Sequence, residues 1–238
     1  TEKCNGSGDC RKLPEFGGTM CPSYRATRNE KDTTRARANA LREFLTHSNK
    51  PNRFDHHELK EVFDLCLSCK ACASECPSSV DVASLKAEFQ HQYQKANGIP
   101  FRTKLFAYNN TLNKYGSHIP RVTNFMFSNK LISSILKKSV GVAQQRSLPL
   151  VSNKSLNKIF ESTEKQADKI NYIKSFYLFN DEFTNFLDTQ IGLDAIALLT
   201  SLNYEVKLVN HAESGRAFLS KGLLKKAKDL ANKNVHTF

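Results

Sequence analysis

One cysteine run constrains this chain more than anything else in it: Cys66-x2-Cys69-x2-Cys72-x3-Cys76-Pro77. The spacing is that of bacterial ferredoxins, in which three cysteines wrap one iron–sulfur cluster and the fourth serves a second cluster. A cubane needs thiolates converging on separate iron corners. Three cysteines two residues apart can do that within a tight loop. The fourth points elsewhere, and the following proline turns the chain away. The run therefore demands a partner motif.

The partner lies upstream, in Cys4, Cys10 and Cys21-Pro22. Two departures mark it. Ser7 stands where a middle cysteine would be, and ten residues, including Gly17-Gly18, separate Cys10 from Cys21. With the fourth ligands exchanged, Cys66, Cys69, Cys72 and Cys21 supply four thiolates to a [4Fe–4S] cluster. Cys4, Cys10 and Cys76 supply three to the other, which suits [3Fe–4S], or [4Fe–4S] with a non-cysteine ligand. The assignment uses all seven cysteines, none of which lies after Cys76. An odd number of thiols would leave one over in a disulfide framework. Zinc prefers paired C-x2-C units well separated in sequence, a poor match to the tight triple.

Three stretches are expected. Residues 1–98 form a mainly α, two-cluster ferredoxin-like helical domain. Its helices are predicted over Thr33–Leu45, His56–Leu65 (capped by Asp55, with Glu58 three residues on) and Val82–Ala96, with Asn97-Gly98 as a stop. Residues 99–170 form a basic helical connector, with twelve Lys and Arg against three Asp and Glu, a net of +9. Its helices break near Gly116 and Pro120, and the region around Leu148-Pro149 is irregular. Phe125, Phe127, Leu131 and Ile135 share a face expected to pack on neighbouring structure. Residues 171–238 form a small α/β domain of βαβα order, with strands at Ser175–Phe179 (an apolar run expected to be buried) and Tyr204–Val209. Its helices are expected at Ile191–Leu202 and Ala217–Ala231. Asp181-Glu182 is expected in a solvated loop. Two strands seldom suffice for a sheet, so this domain reads as part of a larger one.

The formal charge of +12 on 238 residues suits an acidic partner, an anionic membrane surface or nucleic acid. No recognition motif supports nucleic acid. No run of about 18 apolar residues exists to span a bilayer. The absence of a secretory signal and the clustered thiols point to a reducing, cytoplasmic setting, with attachment to the inner face of the membrane as a variant. The start at Thr1 suggests a processed or excised chain. The histidines, His56, His57 and His211 among them, lack partners at ligand spacing. There is no phosphate-cradling glycine loop, no Ser–His–Asp set and no catalytic carboxylate pair.

The segments CNGSGDCRK, GGTMCPSYRATRNEKDTTRARANALREFL and CLSCKACASECPSSVDVASLKAEF resemble the iron–sulfur region of bacterial FAD-linked oxidases, the D-lactate, glycolate and 2-hydroxyglutarate dehydrogenase type. The last stretch, with FNDEFTNFLDTQIG and SGRAFLSKGLLKKAKDLA, resembles the start of that family's cysteine-rich domain. Glu213 and Ser214 stand where its two cysteines would be. The resemblance implies an electron-transfer module that relays electrons from FAD, on a separate flavin domain or subunit, to a quinone or carrier protein. The substrate site would then lie outside this chain. Heterodisulfide reductase-like electron-transfer subunits share the domain order and are the alternative.

Overall fold

The computed structural model describes residues 3–164 and 172–238. It separates into two compact units, one of residues up to Pro100 with Phe218–Lys225, the other of Phe101–Ala217 with Lys226–Phe238. The basic stretch and the α/β stretch thus share a unit, and the expected border between them at 170/171 lies outside the described residues. Helix dominates throughout.

In the first unit, α1 (Pro22–Thr27) opens with proline at its first turn, where a missing N–H costs nothing. The Thr33 hydroxyl caps α2 (Thr34–His47) by accepting from Ala36 N. This helix turns Ala38 and Leu41 to the core. Leu59 and Phe63, one helical turn apart on α3 (His57–Asp64), meet that face. Short α4 (Ala71–Glu75) follows, then α5 (Val82–Asn97), which is capped by Asp81 and stopped at Gly98 with φ +77°. Phe63 and Phe89 stack at 5.2 Å. The predicted cap at Asp55 is a correction. His56 precedes α3 with no side-chain cap, because the Asp55 carboxylate is drawn to the end of α5, accepting from Asn97 Nδ2 at 2.6 Å.

The second unit begins with α6 (Phe101–Ala107) and α7 (Asn109–Gly116), then α8 (Pro120–Ser128), α9 (Lys130–Ser139) and α10 (Leu156–Glu164). The breaks fall at Gly116 and Pro120, as the sequence leads one to expect. Of the apolar face only Phe127 is half-buried. Phe125, Leu131 and Ile135 stay exposed, because α9 buries Ser133 and Lys137 instead. Lys137 Nζ reaches the carbonyls of Gln144 and Arg146.

Strands β1 (Lys174–Leu178) and β2 (Tyr204–Leu208) pair in parallel, Lys174 opposite Tyr204 and Leu178 opposite Leu208. Helices α11 (Glu182–Phe186) and α12 (Thr189–Ser201) connect them. The expected burial of the first strand is not met: a two-stranded sheet leaves β1 largely exposed. At Gly192 of α12 a Cβ would lie 2.3 Å from Leu156, so glycine permits the close approach of α10. The predicted helix over Ala217–Ala231 is broken into α13 (Arg216–Ser220) and α14 (Leu224–Thr237). Gly222 makes the break at φ +73°, and a Cβ there would meet Gln90 at 2.6 Å. Its carbonyl bonds to His91 Nδ1, and Gln94 Nε2 donates to Lys221 O, which fixes this turn on α5 of the first unit.

Asp181-Glu182 is not a solvated loop. Asp181 caps α11, accepting from Phe183 N and Thr184 N, and Glu182 is buried because Ser214 donates to both its oxygens. Burial pushes the Asp181 carboxyl up, but the bonds from Thr184 and the nearby Arg216 outweigh it, and the net shift is downward. A carboxylate lowered in the folded state contributes stability above its unfolded value and loses it as pH falls through the folded value. Asn can still cap, so Asp181→Asn removes the charge and the oxygen that accepts from Arg216 but leaves the cap. It is expected to cost about 0.5–1 kcal/mol at pH 7 and almost nothing at a pH below the folded value. Urea midpoints of the two proteins at both pH values check this; an equal deficit at both would refute the charge account.

Candidate metal centre

The loop from Cys66 to Cys72 is shaped by two residues in the left-handed region, Ser68 at φ +53° and Lys70 at φ +64°. Neither is glycine, so each conformation costs of order 1 kcal/mol and must be held by its surroundings. The upstream loop repeats the pattern at the same offsets, with Gly6 at φ +76° and Gly8 at φ +80°. Each loop runs into a short helix, Asp9–Arg11 in one case and α4 in the other. Ser7 therefore occupies in the first loop the backbone place that Cys69 occupies in the second. It is exposed, its N–H donating to Asn5 Oδ1.

Cys66, Cys69 and Cys72 line one recess, and Cys21 from the upstream motif lines it too. Thr34, Arg37 and Ala83 contribute to its walls, and the recess encloses about 20 Å³. The Cys21 thiol accepts from Thr34 N at 3.0 Å and lies 3.0 Å from Thr34 Oγ1. Burial pushes this thiol up to about 11, against the pull of those bonds. Burial also raises Cys72, whose sulfur is approached by the backbone N–H groups of Val82 and Ala83 at the start of α5. Such thiols stay protonated unless a cation takes the charge, and a bound metal deprotonates them outright. N–H groups aimed at sulfur are also the means by which a protein tunes a cluster.

Two buried cations flank the recess. Arg37, 2% exposed, donates to Asp32 O at 2.7 Å, Val62 O at 3.1 Å and Ser23 Oγ at 3.1 Å, and its guanidinium lies 3.5 Å from the Asp32 carboxylate. Lys86 Nζ donates to the carbonyl of Cys66 at 2.5 Å. Burial pushes the Lys86 ammonium down, and the neighbouring Cys66 and Asp64 oppose that. Both charges suit a recess that is to hold several thiolates.

Cys21 is positioned by a carboxylate. Glu75, at the end of α4, accepts from Thr19 N, Thr19 Oγ1 and Met20 N at 2.5–2.9 Å. The Thr19 hydroxyl first, then these N–H groups, hold its carboxyl below the usual range. Gly18 sits against it at φ +70°, where a Cβ would come within 2.8 Å of Glu75 Oε2. The clamp thus ties the segment before Cys21 to the helix that carries Cys72.

Cys10 is buried, and Cys4 and Cys76 are partly buried against the same core. Cys10 and Cys4 both act electrostatically on Arg35, which bonds Glu30 at 2.7 Å. Cys69 is the exposed thiol of the seven. Among the described residues, no three His, Cys, Asp or Glu side chains converge as a single metal ion would require. His56 bonds Ser48 and His57 pairs with Glu61, while His211 stacks on Phe179 in the second unit. At the place of the family's cysteine pair, Ser214 bonds Glu182 and Glu213 is half-buried, so no thiolate site exists there.

Thr34, Arg37, Glu75 and Lys86 escaped the sequence reading. Glu75 directly precedes Cys76, and Thr34 opens a helix soon after Cys21, but nothing in the pattern assigns them partners. Residues 3–81 match the 4Fe–4S dicluster domain family. The chain is 26% identical to D-2-hydroxyglutarate dehydrogenase of Escherichia coli strain K12, the alignment covering 98% of this chain and 27% of that protein. The Haemophilus influenzae Rd enzyme of the same name is 25% identical, over 94% of this chain and 25% of its own length. The Pseudomonas putida KT2440 one is 25% identical, over 93% and 26%. The chain thus spans about a quarter of the length of these relatives. No solved structure matches it.

Proposed function

We propose, for a chain that carries a 4Fe–4S dicluster domain and resembles D-2-hydroxyglutarate dehydrogenases along nearly all its length, that it is the iron–sulfur electron-transfer module of an FAD-linked 2-hydroxy-acid oxidoreductase. One observation carries the reading: a cysteine from the upstream motif shares a recess with three from the downstream motif. That is the exchange expected of a two-cluster protein. The donor set fits, since four thiols face one space with two buried cations and several N–H groups around it.

In this reading Cys66, Cys69, Cys72 and Cys21 hold a [4Fe–4S] cluster, and Cys4, Cys10 and Cys76 hold a second, three-iron cluster. Such clusters, when bound, take up and release single electrons, which lets a two-electron flavin feed a chain of carriers. Thr34, Val82 and Ala83 donate toward the sulfurs and favour the reduced, more negative state. Arg37 and Lys86 act in the same direction. Flavin and hydroxy acid belong to a separate domain or subunit, and the acceptor is a quinone or carrier protein. The cytoplasm is the compartment that keeps such thiolates reduced. Among the described residues no helix is long and apolar enough to cross a membrane.

The test is iron, sulfide and zinc content of anaerobically prepared protein, with electron paramagnetic resonance. About seven irons per chain and an oxidised three-iron signal are expected. Ser7→Cys, which restores a thiol at the place equivalent to Cys69, is expected to raise the content to about eight and abolish that signal. An unchanged spectrum in the variant would overturn the ligand assignment, and zinc without sulfide would overturn the function.

A further inference from the structure

The second unit carries an apolar face that points outward. On α8, Phe125 and Met126 stand three and four residues after Val122, so the three share one side of the helix, and Phe125 is 63% exposed. On α9, Leu131 and Ile135 lie one turn apart and are 77% and 70% exposed. The side of α9 that packs is the polar one. Ser133 and Lys137 are buried there, the Lys137 ammonium bonded to the carbonyls of Gln144 and Arg146. A helix at the surface of a water-borne domain has the reverse arrangement. Asn129 alone separates α8 from α9, and the two helices touch. Apolar side chains left together in water mark an interaction site.

The charge around this face has one sign. From Phe101 to Phe160 the sequence holds ten Lys and Arg and no Asp or Glu. Arg121 precedes Val122 on α8, and Lys130 and Lys138 bracket Leu131 and Ile135 on α9. All three cations are exposed and form no ion pair among the described residues. Apolar side chains flanked by cations match an anionic lipid surface, where the apolar stripe enters the acyl boundary and the cations meet phosphates. Other occupants fit less well. A second copy would set these cations against their own kind, with no carboxylate in the stretch to pair them. Contacts between proteins are depleted in lysine. Single-stranded nucleic acid wants rings to stack on, and Leu131 and Ile135 offer none.

We propose that α8 and α9 dock this chain on an anionic bilayer surface, with Phe125, Leu131 and Ile135 entering the headgroup layer and Arg121, Lys130 and Lys138 meeting lipid phosphates. The helices lie on the membrane and do not cross it: α8 has nine residues and α9 ten, against about 20 for a span. The surface goes beyond the electron-transfer reading and does not depend on it. Its residues belong wholly to the second unit, whereas every cysteine lies in the first.

Co-sedimentation of the cluster-loaded protein with vesicles tests it. Binding to vesicles of about 30% phosphatidylglycerol in phosphatidylcholine is expected to exceed binding to pure phosphatidylcholine by about tenfold or more. It should fall by a similar factor as salt rises from about 0.05 to about 0.5 M. Arg121→Gln/Lys130→Gln/Lys138→Gln should weaken it roughly a hundredfold. So should Phe125→Ser/Leu131→Ser/Ile135→Ser, which keeps every charge. The substituted side chains stand in solvent, so both variants are expected to keep the parent's urea midpoint and iron content. Absence of binding to the anionic vesicles would overturn the proposal. So would equal binding to the neutral ones, or full binding by either variant. A dimer that the serine variant dissolves would assign the face to a second copy, and tighter binding of polyuridylate than of vesicles would assign it to nucleic acid; either result overturns the proposal. Iron and sulfide measured on the same samples report separately on the cluster reading.

Discussion

Cys21→Ser is expected to strip the chain of the cluster assigned to Cys66, Cys69 and Cys72, lowering bound iron by about half, although Cys21 belongs to the other motif. The reason is geometric: its thiol faces the same recess as those three and is fixed by two contacts with Thr34. Serine nearly preserves the volume and can keep the contact with Thr34. The loss would therefore reflect the missing thiolate and not a disturbed fold. Cys76→Ser should do the converse, keeping the spectrum of the four-thiolate cluster and removing the three-iron signal. The paired variants thus read out the exchange directly. If Cys21→Ser spared the four-iron spectrum and abolished the three-iron one, each motif would complete its own cluster, and the assignment would fail.

Arg37→Leu is expected to destabilise the first unit by about 3–5 kcal/mol, the cost of removing one member of a buried ion pair. Asp32 is 1% exposed, and its carboxylate would be left facing apolar surroundings with only Thr27 Oγ1 to bond one oxygen. The carbonyls of Val62 and Asp32 would also lose a donor. Adding Asp32→Asn removes the stranded charge and should return a large part of the loss, since a buried ion pair gains little over neutral groups of similar size. Guanidinium unfolding of the three proteins measures both effects. A loss under about 1 kcal/mol for Arg37→Leu would show that the pair is an incidental contact.

The sequence makes legible what depends on short-range pattern. Cysteine spacing is of that kind, as are the start of α2 at Thr33, the stop at Gly98, and the breaks at Gly116 and Pro120. What it hides is set by partners far along the chain. Asp55 has the right spacing for a cap, but Asn97 claims its carboxylate. Glu182 reads as a solvated acid, but Ser214 draws it into the interior. Ser68 and Lys70 give no hint of left-handed backbone, whereas Gly6 and Gly8 at the same offsets announce it. The apolar residues of α8 and α9 show the opposite error. Their period suggests a packed face, and the structure leaves Phe125, Leu131 and Ile135 in solvent because Lys137 found carbonyls to bond on the other side.

The Glu75 clamp has a consequence for the timing of synthesis. It joins residues 56 apart in sequence. Closing a loop of that length costs about 3–4 kcal/mol in chain entropy, which the bonds to Thr19 and Met20 help to offset. A ribosome delivers the first cysteine motif well before α4 leaves the exit tunnel. Until then Cys21 lacks this clamp and has only its contacts with Thr34. Metal loading at Cys21 is therefore tied to the emergence of the second motif, and a chain cut short before Glu75 would be born without the clamp on the segment that precedes it.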